Sequence, residues 1–473
     1  MRLRPALIAT LSLSPLTTLA QTAGTEEIVV TASRAEKPRN TIPNTVTVID
    51  ETDLQQQLNL GGDLSTVLGN LIPSFSPSRQ KLTSAGESLR GRDPLYLVDG
   101  VPQSNPLRDG SRDAYTIDPL MLERVEVIHG ANAIHGLGAS GGIINLITRK
   151  PSDDLQQSLR VESTLQDENA ADSLGFGVNY SVSGRFDAVD VMASVAYRQS
   201  GIAYDADGRV IGFDNTQGDT MDADMLNVFV KGGYNWDDQR LELTVNDFEL
   251  AGNNDWVAIP GDIANGIPTT VEEGIVPGIA PTNDVRMLSG SYTNDDIFGQ
   301  SLRLQVFQQS FAGTYGGGIF ATFQDPSLGT DIFEQSQNES DKTGAKLTLA
   351  VDRIGDAPVS LVYGLDLLQD QTTQVLAQTG RAWVPESNYQ NTSLFAQAEF
   401  SGIERLTITA GVRHEQAKLE VDDFTTLASY NGGQFVAGGE PDFSETLFNA
   451  GAVFKATDSL RVFANASEGF SMP

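Results

Sequence analysis

The chain has 473 residues, 46 of them Gly and none Cys, with 31 Lys and Arg against 62 Asp and Glu for a net charge of −31. Such acidity repels phosphate backbones and argues against a nucleic-acid binder. The lack of Cys excludes disulfide scaffolds, zinc ribbons, thiol nucleophiles and Cys-ligated iron–sulfur clusters, and three His (His129, His135, His414) leave little for imidazole-based metal sites or triads.

Arg2 and Arg4 precede the apolar run Ala6-Leu7-Ile8-Ala9-Thr10-Leu11-Ser12-Leu13, and Thr18-Leu19-Ala20 offers a small-residue cleavage site. This is the layout of a secretory signal peptide over residues 1–20, which sends the rest of the chain out of the cytoplasm. No stretch reaches the ~20 apolar residues that a transmembrane helix needs. Residues 21–40 are polar and aperiodic apart from Ile28-Val29-Val30-Thr31-Ala32, and are expected to form an extended arm.

Residues 41–151 have the pattern of a compact α+β unit. Strands are predicted at 45–50, 95–98, 125–128 and 143–148, and helices at 52–60 and 64–71, the first capped by Thr52 or Asp53. Asp99-Gly100 is a turn signal.

From residue 152 onward the period changes to two. Leu406, Ile408, Ala410 and Val412 face one way, and Arg405, Thr407, Thr409 and Arg413 the other. Roughly a dozen such strands of about ten residues follow one another. Tight turns such as Trp236-Asp237-Asp238 and Ser401-Gly402-Ile403-Glu404 alternate with long loops at 201–222, 251–284, 311–340, 371–390 and 419–443. A soluble β-sandwich also alternates, but its strands are shorter and its loops lack this asymmetry. The pattern predicts a mostly β protein, a transmembrane antiparallel β-barrel.

Three motifs point elsewhere. Gly136 to Gly141 fits a dinucleotide fingerprint, and Gly138 to Gly142 a nucleophile elbow, but both need a helix to follow. The β-branched run Ile143 to Thr148 predicts a strand instead, so the glycines are expected to make tight turns. Asp205-Ala206-Asp207-Gly208 opens like a calcium loop but lacks the later ligands, which leaves a solvated turn.

Several stretches together resemble TonB-dependent outer-membrane receptors, in that family's order and along the whole chain. Glu26-Glu27-Ile28-Val29-Val30-Thr31-Ala32 is similar to the TonB box. Leu89-Arg90-Gly91-Arg92, Leu95 to Pro102 and Leu122 to Thr148 are similar to the plug domain. Gly411 to Glu415 and Ala466 to Phe470 resemble later barrel strands. His129 and His135 stand where the family often has Arg and Tyr. Within the family the chain most resembles ferric aerobactin receptors, which take hydroxamate siderophores.

The resemblance implies a signal peptide at 1–20, an arm with its TonB box at 21–40, a plug at 41–151 lodged in the lumen, and the N-terminal part of a barrel at 152–473. About 12–14 strands of an expected ~22 are present, and the chain stops at Pro473, so a C-terminal truncation is expected. It implies a transport receptor of the Gram-negative outer membrane rather than an enzyme, with no resident cofactor and no metal site: the Fe(III)-siderophore is cargo, already wrapped in ligand oxygens. Partners would be that siderophore, outer-membrane lipid, and TonB with its inner-membrane energising complex, TonB adding to the arm as a strand. Aerobactin-type complexes are anionic and citrate-based, so the resemblance points to cationic and aromatic residues where the plug apex meets the loops: Arg79, Arg108, Arg112 and Tyr115 from the plug, and Trp256, Tyr315 and Trp383 from the loops. Arg90 is a candidate to pair the plug with Glu415 and Glu468. The competing readings are a haem or cobalamin receptor, and a secreted β-rich adhesin or carbohydrate-binding protein.

Overall fold

A computed structural model describes residues 29–30, 34, 37–61, 63–77, 81, 83–104, 112–136, 138–212, 218, 221–457 and 460–469. The signal-peptide expectation and Glu27, Ile28, Thr31, Ala32, Arg79 and Arg108 lie outside these residues.

The N-terminal unit holds strands β1 (Val46–Ile49), β2 (Leu95–Val98), β3 (Val101–Pro102), β4 (Leu122–His129) and β5 (Gly142–Thr148) in the order β1-β4-β5-β2-β3. All neighbours are antiparallel except β2 and β5. Helices α1 (Glu51–Leu58) and α2 (Leu64–Leu71) pack on the sheet through Leu54 and Leu58 and through Leu64, Val67 and Leu68, the three-and-four spacing of one helix face. Asp50, not Thr52 or Asp53, caps α1: its carboxylate accepts the Asp53 N–H at 2.9 Å, and Asp63 does the same for Thr66 at 2.7 Å. An amide two or three places into the helix is what a side chain just outside it can reach. Leu54, Leu68, Val125, Val127, Ile144 and Leu146 are fully buried, each contributing about 1.5–3 kcal/mol of apolar transfer.

The glycine run leads through a short 3-10 turn (Ala133–His135) into β5, a strand. Gly142, at φ 127°, passes so close to the Ile128 carbonyl that no side chain would fit.

Thirteen further strands form one antiparallel sheet in chain order, each bonded to the next. They are β6 (Gln156–Thr164), β7 (Gly175–Phe186), β8 (Val189–Ser200), β9 (Ala223–Trp236), β10 (Gln239–Gly252), β11 (Thr282–Asn294), β12 (Ser301–Gly318), β13 (Glu334–Val351), β14 (Val359–Leu376), β15 (Ala382–Ile403), β16 (Leu406–Val421), β17 (Asp442–Lys455) and β18 (Arg461–Ser467). Two-residue turns close one end: Asp187-Ala188, Asp237-Asp238 and Glu404-Arg405, with Asp187, Asp237 and Arg405 at positive φ as tight hairpins require. The long loops lie at the other end.

One expected loop, 311–340, is half strand and another, 371–390, is mostly strand. β12 and β13 leave only 319–333 between them, and β14 and β15 only 377–381. Tyr315 and Trp383 therefore sit on strands. The ladder continues there with polar residues on both faces, so the period-two hydropathy signal disappears while the backbone pairing does not.

The sheet is inside-out. On β9, Asn227 and Lys231 are buried while Leu226, Val228 and Val230 are exposed; Leu241, Leu243, Leu304, Val306, Leu394 and Val412 extend the outer apolar face. Tyr234, Trp236 and Tyr292 stack along it at the tight-turn end. That polarity suits a lipid exterior and an aromatic girdle, and no soluble sandwich needs it.

The N-terminal unit fills the curl of this sheet. Arg160 on β6 donates to the Leu58 carbonyl (3.2 Å), and at the opposite edge Arg461 on β18 donates to the Arg39 carbonyl (2.9 Å). Between them Asn227, Asn246 and Asn283, on consecutive strands β9, β10 and β11, bond the plug backbone at Asp118, Thr116 and Tyr115 at 2.9 Å each. Each net bond contributes about 0.5–1.5 kcal/mol, and an unpaired buried partner would cost more. Among the described residues β6 and β18 are not paired with each other.

Candidate functional site

At the long-loop end, Arg112 leaves the plug and meets the wall. Its Nη2 donates to the carbonyls of Gly218 (3.3 Å) and Thr314 (3.4 Å), and its guanidinium lies 4.9 Å from the Tyr315 ring centre. Both side chains are buried. Tyr115 is close by in the chain; its hydroxyl proton faces two acceptors, Asp63 Oδ2 (3.0 Å) and the Lys81 carbonyl (2.9 Å). Burial, then Asp63 and Glu87, push this phenol well above its ordinary range, so it stays neutral.

The other two expected aromatics stand apart. Trp256 lies on a loop hairpin (Trp256–Ile259 with Thr270–Glu273) and packs on Ile202, Met221 and Val271. Trp383 meets Phe323 edge-on at 4.8 Å in a cluster with Leu376 and Leu427. The structure thus joins Arg112 to Tyr315 and uses the tryptophans to hold the loops together.

The arm is docked. Val29–Val30 pairs antiparallel with Lys37–Pro38, and Val30 is buried among Val46, Leu95, Ile128 and Ile143 of the plug. Arg34 grips Asp366 on β14, which also accepts from Arg413 on β16 at 2.8 Å. Arg413 holds Glu415 at 2.5 Å and the Ile134 carbonyl at 3.0 Å. Glu415 further accepts from Asn391 (2.9 Å) and Ser393. Lys37 bonds Glu399 on β15 at 2.8 Å.

Two of the ion pairs that tie the N-terminal unit to the wall therefore come from the arm, through Arg34 and Lys37. Arg90, expected in that role, is exposed at φ 55° in the turn before Gly91 and has no ion-pair partner among the described residues. Glu415 is occupied by Arg413, and Glu468 accepts the Phe448 N–H at 2.8 Å. Arg34, Asp366 and Glu399 belong to no motif in the sequence. The last two were findable: each is an acid at an inward position of an otherwise regular strand.

A third contact lies nearer the tight turns. Asp99, at φ 47° in the β2–β3 turn, accepts from Thr148 N (2.9 Å), Thr148 Oγ1 (2.6 Å) and Lys231 Nζ on β9 (3.0 Å). Burial opposes its charge, but Lys231 and Thr148 outweigh that and hold the carboxyl below its ordinary range.

None of the three histidines lies in a long loop. His129 has Thr47 Oγ1 and Ser74 Oγ at 3.0 and 3.1 Å, and burial, then Arg90, lowers its pKa. His135 is in the 3-10 turn, and His414 is exposed on β16 beside Thr446 (3.0 Å). Asp205 and Asp207 are both taken by Arg209, each at 3.0 Å.

Residues 235–473 match the family described as TonB dependent receptor-like, beta-barrel, and residues 38–143 the TonB-dependent Receptor Plug Domain. The chain is 31% identical to the rhizobactin receptor of Rhizobium meliloti over 95% of its own length and 64% of the relative's. It is 28% identical to the ferric aerobactin receptor of Klebsiella pneumoniae over 96% and 65%. It thus spans slightly less than two thirds of these relatives. In fold it is similar to the alcaligin outer membrane receptor FauA of Bordetella pertussis, with a TM-score of 0.66 and 12% identity, over 92% of this chain and 64% of the other.

Proposed function

The chain belongs to the TonB-dependent receptor family, and from that premise we propose that it serves TonB-dependent uptake of an anionic ferric siderophore of the hydroxamate, aerobactin-like class across an outer membrane. The observation that carries this reading is the plug held inside an inside-out sheet with its arm at the tight-turn side and Arg112 at the loop side. The relatives named for rhizobactin and ferric aerobactin support the ligand class.

In this reading residues 1–20 are removed on export. The ligand brings its own iron ligands, so the protein supplies donors and aromatic surface. Once freed from the Gly218 and Thr314 carbonyls that bury it here, Arg112 would offer charge-assisted bonds to carboxylate or hydroxamate oxygens, with Tyr315 against its guanidinium. Arg79 and Arg108 are candidates for the same role from the sequence alone. The arm supplies an extended β-branched segment for strand addition by TonB. Lys37–Pro38 occupies one edge of Val29–Val30, so TonB would either displace it or add to the opposite edge. Haem capture is disfavoured by the placement of all three histidines away from the loops.

Tryptophan-fluorescence titration of the chain, in detergent, with ferric aerobactin and with haem tests the proposal. Saturable quenching by the siderophore alone is expected. Saturation by haem alone, or by neither, overturns it. Val29→Pro should stop uptake in cells and spare surface binding; unchanged uptake would favour a non-energised adhesin.

A further inference from the structure

We propose a second anion site, on the tight-turn side of the plug, that takes a small polycarboxylate. A cavity of about 420 Å³ lies there between the plug and the wall. On one side are the Asp99-Gly100 turn and the end of β5. On the other are β9 to β13, five consecutive paired strands, so neither edge of the sheet contributes.

Seven Lys and Arg side chains line this cavity against three Asp and Glu. Four of the cations are matched by nearby acids: Arg34 by Asp366, Arg124 by Glu126, Lys231 by Asp99 and Arg240 by Asp190. Lys150, Arg303 and Lys346 have no ion-pair partner among the described residues. The Lys346 ammonium donates to the Gly100 carbonyl at 2.5 Å and lies 5.8 Å from the Phe307 ring centre. Arg303 and Lys346 sit diagonally on adjacent strands, since Arg303 pairs with Thr348 and Gln305 with Lys346.

Composition makes this arrangement unexpected. At a net charge of −31, a random cavity would be acid-rich. Gathering Lys150, Arg303 and Lys346 around one space costs free energy through mutual repulsion, and for Lys346 through burial, and an anion between them offsets that cost. A ligand with several carboxylates can bridge Arg303 and Lys346 on the wall to Lys150 on the plug, which a monovalent ion cannot. The cavity lies on the opposite side of the plug from Arg112 and Tyr315. A citrate-based ferric siderophore moving inward would meet it next; that cargo rests on the function proposed above, whereas the anion site does not.

Citrate is the probe, titrated calorimetrically into the chain in detergent micelles at low and at physiological salt. We expect saturable binding that weakens with salt. It should fall at least about tenfold in Arg303→Gln/Lys346→Gln, hold in Lys346→Arg, and be unchanged in the outward-facing control Arg286→Gln. No saturable citrate binding, or equal binding by the double variant and the parent, overturns the site. If the double variant does not fold, Arg303→Gln alone, at an exposed position, takes its place in that comparison. Ferric-siderophore quenching is measured on the same samples. Its loss with citrate binding intact would sink the uptake reading and leave this site standing.

Discussion

Arg34 and Asp366, 332 positions apart in the chain, are joined by two bonds of 3.0 and 2.6 Å. This forked contact ties the segment just after the β-branched patch of the arm to the middle of the wall, and Arg413 backs it from the other side. Removing the carboxylate would leave the buried Arg34 guanidinium without an acid, while Arg413 keeps Glu415; breaking a buried pair in this way costs about 3–5 kcal/mol where it has been measured. The chain has no Cys, so Val30→Cys creates a single thiol to report docking. Its alkylation should be slow in an otherwise unchanged chain and at least about tenfold faster once Asp366→Ala is added. Equal rates would show that the pair does not hold the arm.

Arg112 and Tyr315 are expected to act as a unit in ligand capture. Arg112→Ala should weaken ferric-siderophore binding by about 1–3 kcal/mol, and Tyr315→Leu by less, since the arginine keeps its two carbonyl contacts. Trp383→Phe should change affinity little, because Trp383 packs on Phe323 rather than beside Arg112. Quenching titrations of the three variants check the ranking.

Adjacent residues on β9 should respond in opposite ways. Val228→Lys places a charge on the outer apolar face and should cost about 2–4 kcal/mol if it lies near the bilayer midplane. Val228→Leu should be nearly neutral. Asn227→Leu keeps the outer face intact but leaves the Asp118 N–H without its acceptor, costing about 1–3 kcal/mol. Denaturant unfolding in lipid vesicles should report the first loss; proteolysis of the plug should report the second.

Acid should loosen the plug through Asp99. Its carboxyl titrates lower in the folded protein than in the unfolded chain. The stabilisation it brings is therefore complete above about pH 5 and is lost as pH falls through the unfolded value towards the depressed folded-state one. Asp99→Asn should be less stable at neutral pH and show a shallower loss between about pH 5 and pH 2. Thermal melts across that range measure both slopes.

The parts legible in the sequence were those where one physical demand dominates. Lipid fixes the outward residues of each strand, so Ile408 and Val412 are legible as outward-facing and are exposed, and α2 shows its three-and-four spacing. The strand extensions through Gln371–Gln374 and Ser387–Asn391 are not legible, because beyond the lipid neither face must be apolar. Helix capping was misplaced because Asp50, Thr52 and Asp53 are all competent caps, and only backbone geometry selects Asp50. The Arg34–Asp366 pair was hidden for another reason. Nothing local in a polar arm marks which arginine will meet a strand hundreds of residues later. Arg90 drew attention through its motif, but its own turn leaves it facing solvent.

The thirteen-strand meander also bears on how the molecule is made. Every strand needs only its predecessor and its successor, and several are linked by two residues. Ring closure over such short spans is entropically mild and fast, so the wall can grow like a zip, one hairpin at a time. The costly long-distance encounters are confined to the side chains that grip the stopper. Assembly errors should therefore collect at the filling of the lumen rather than in strand order.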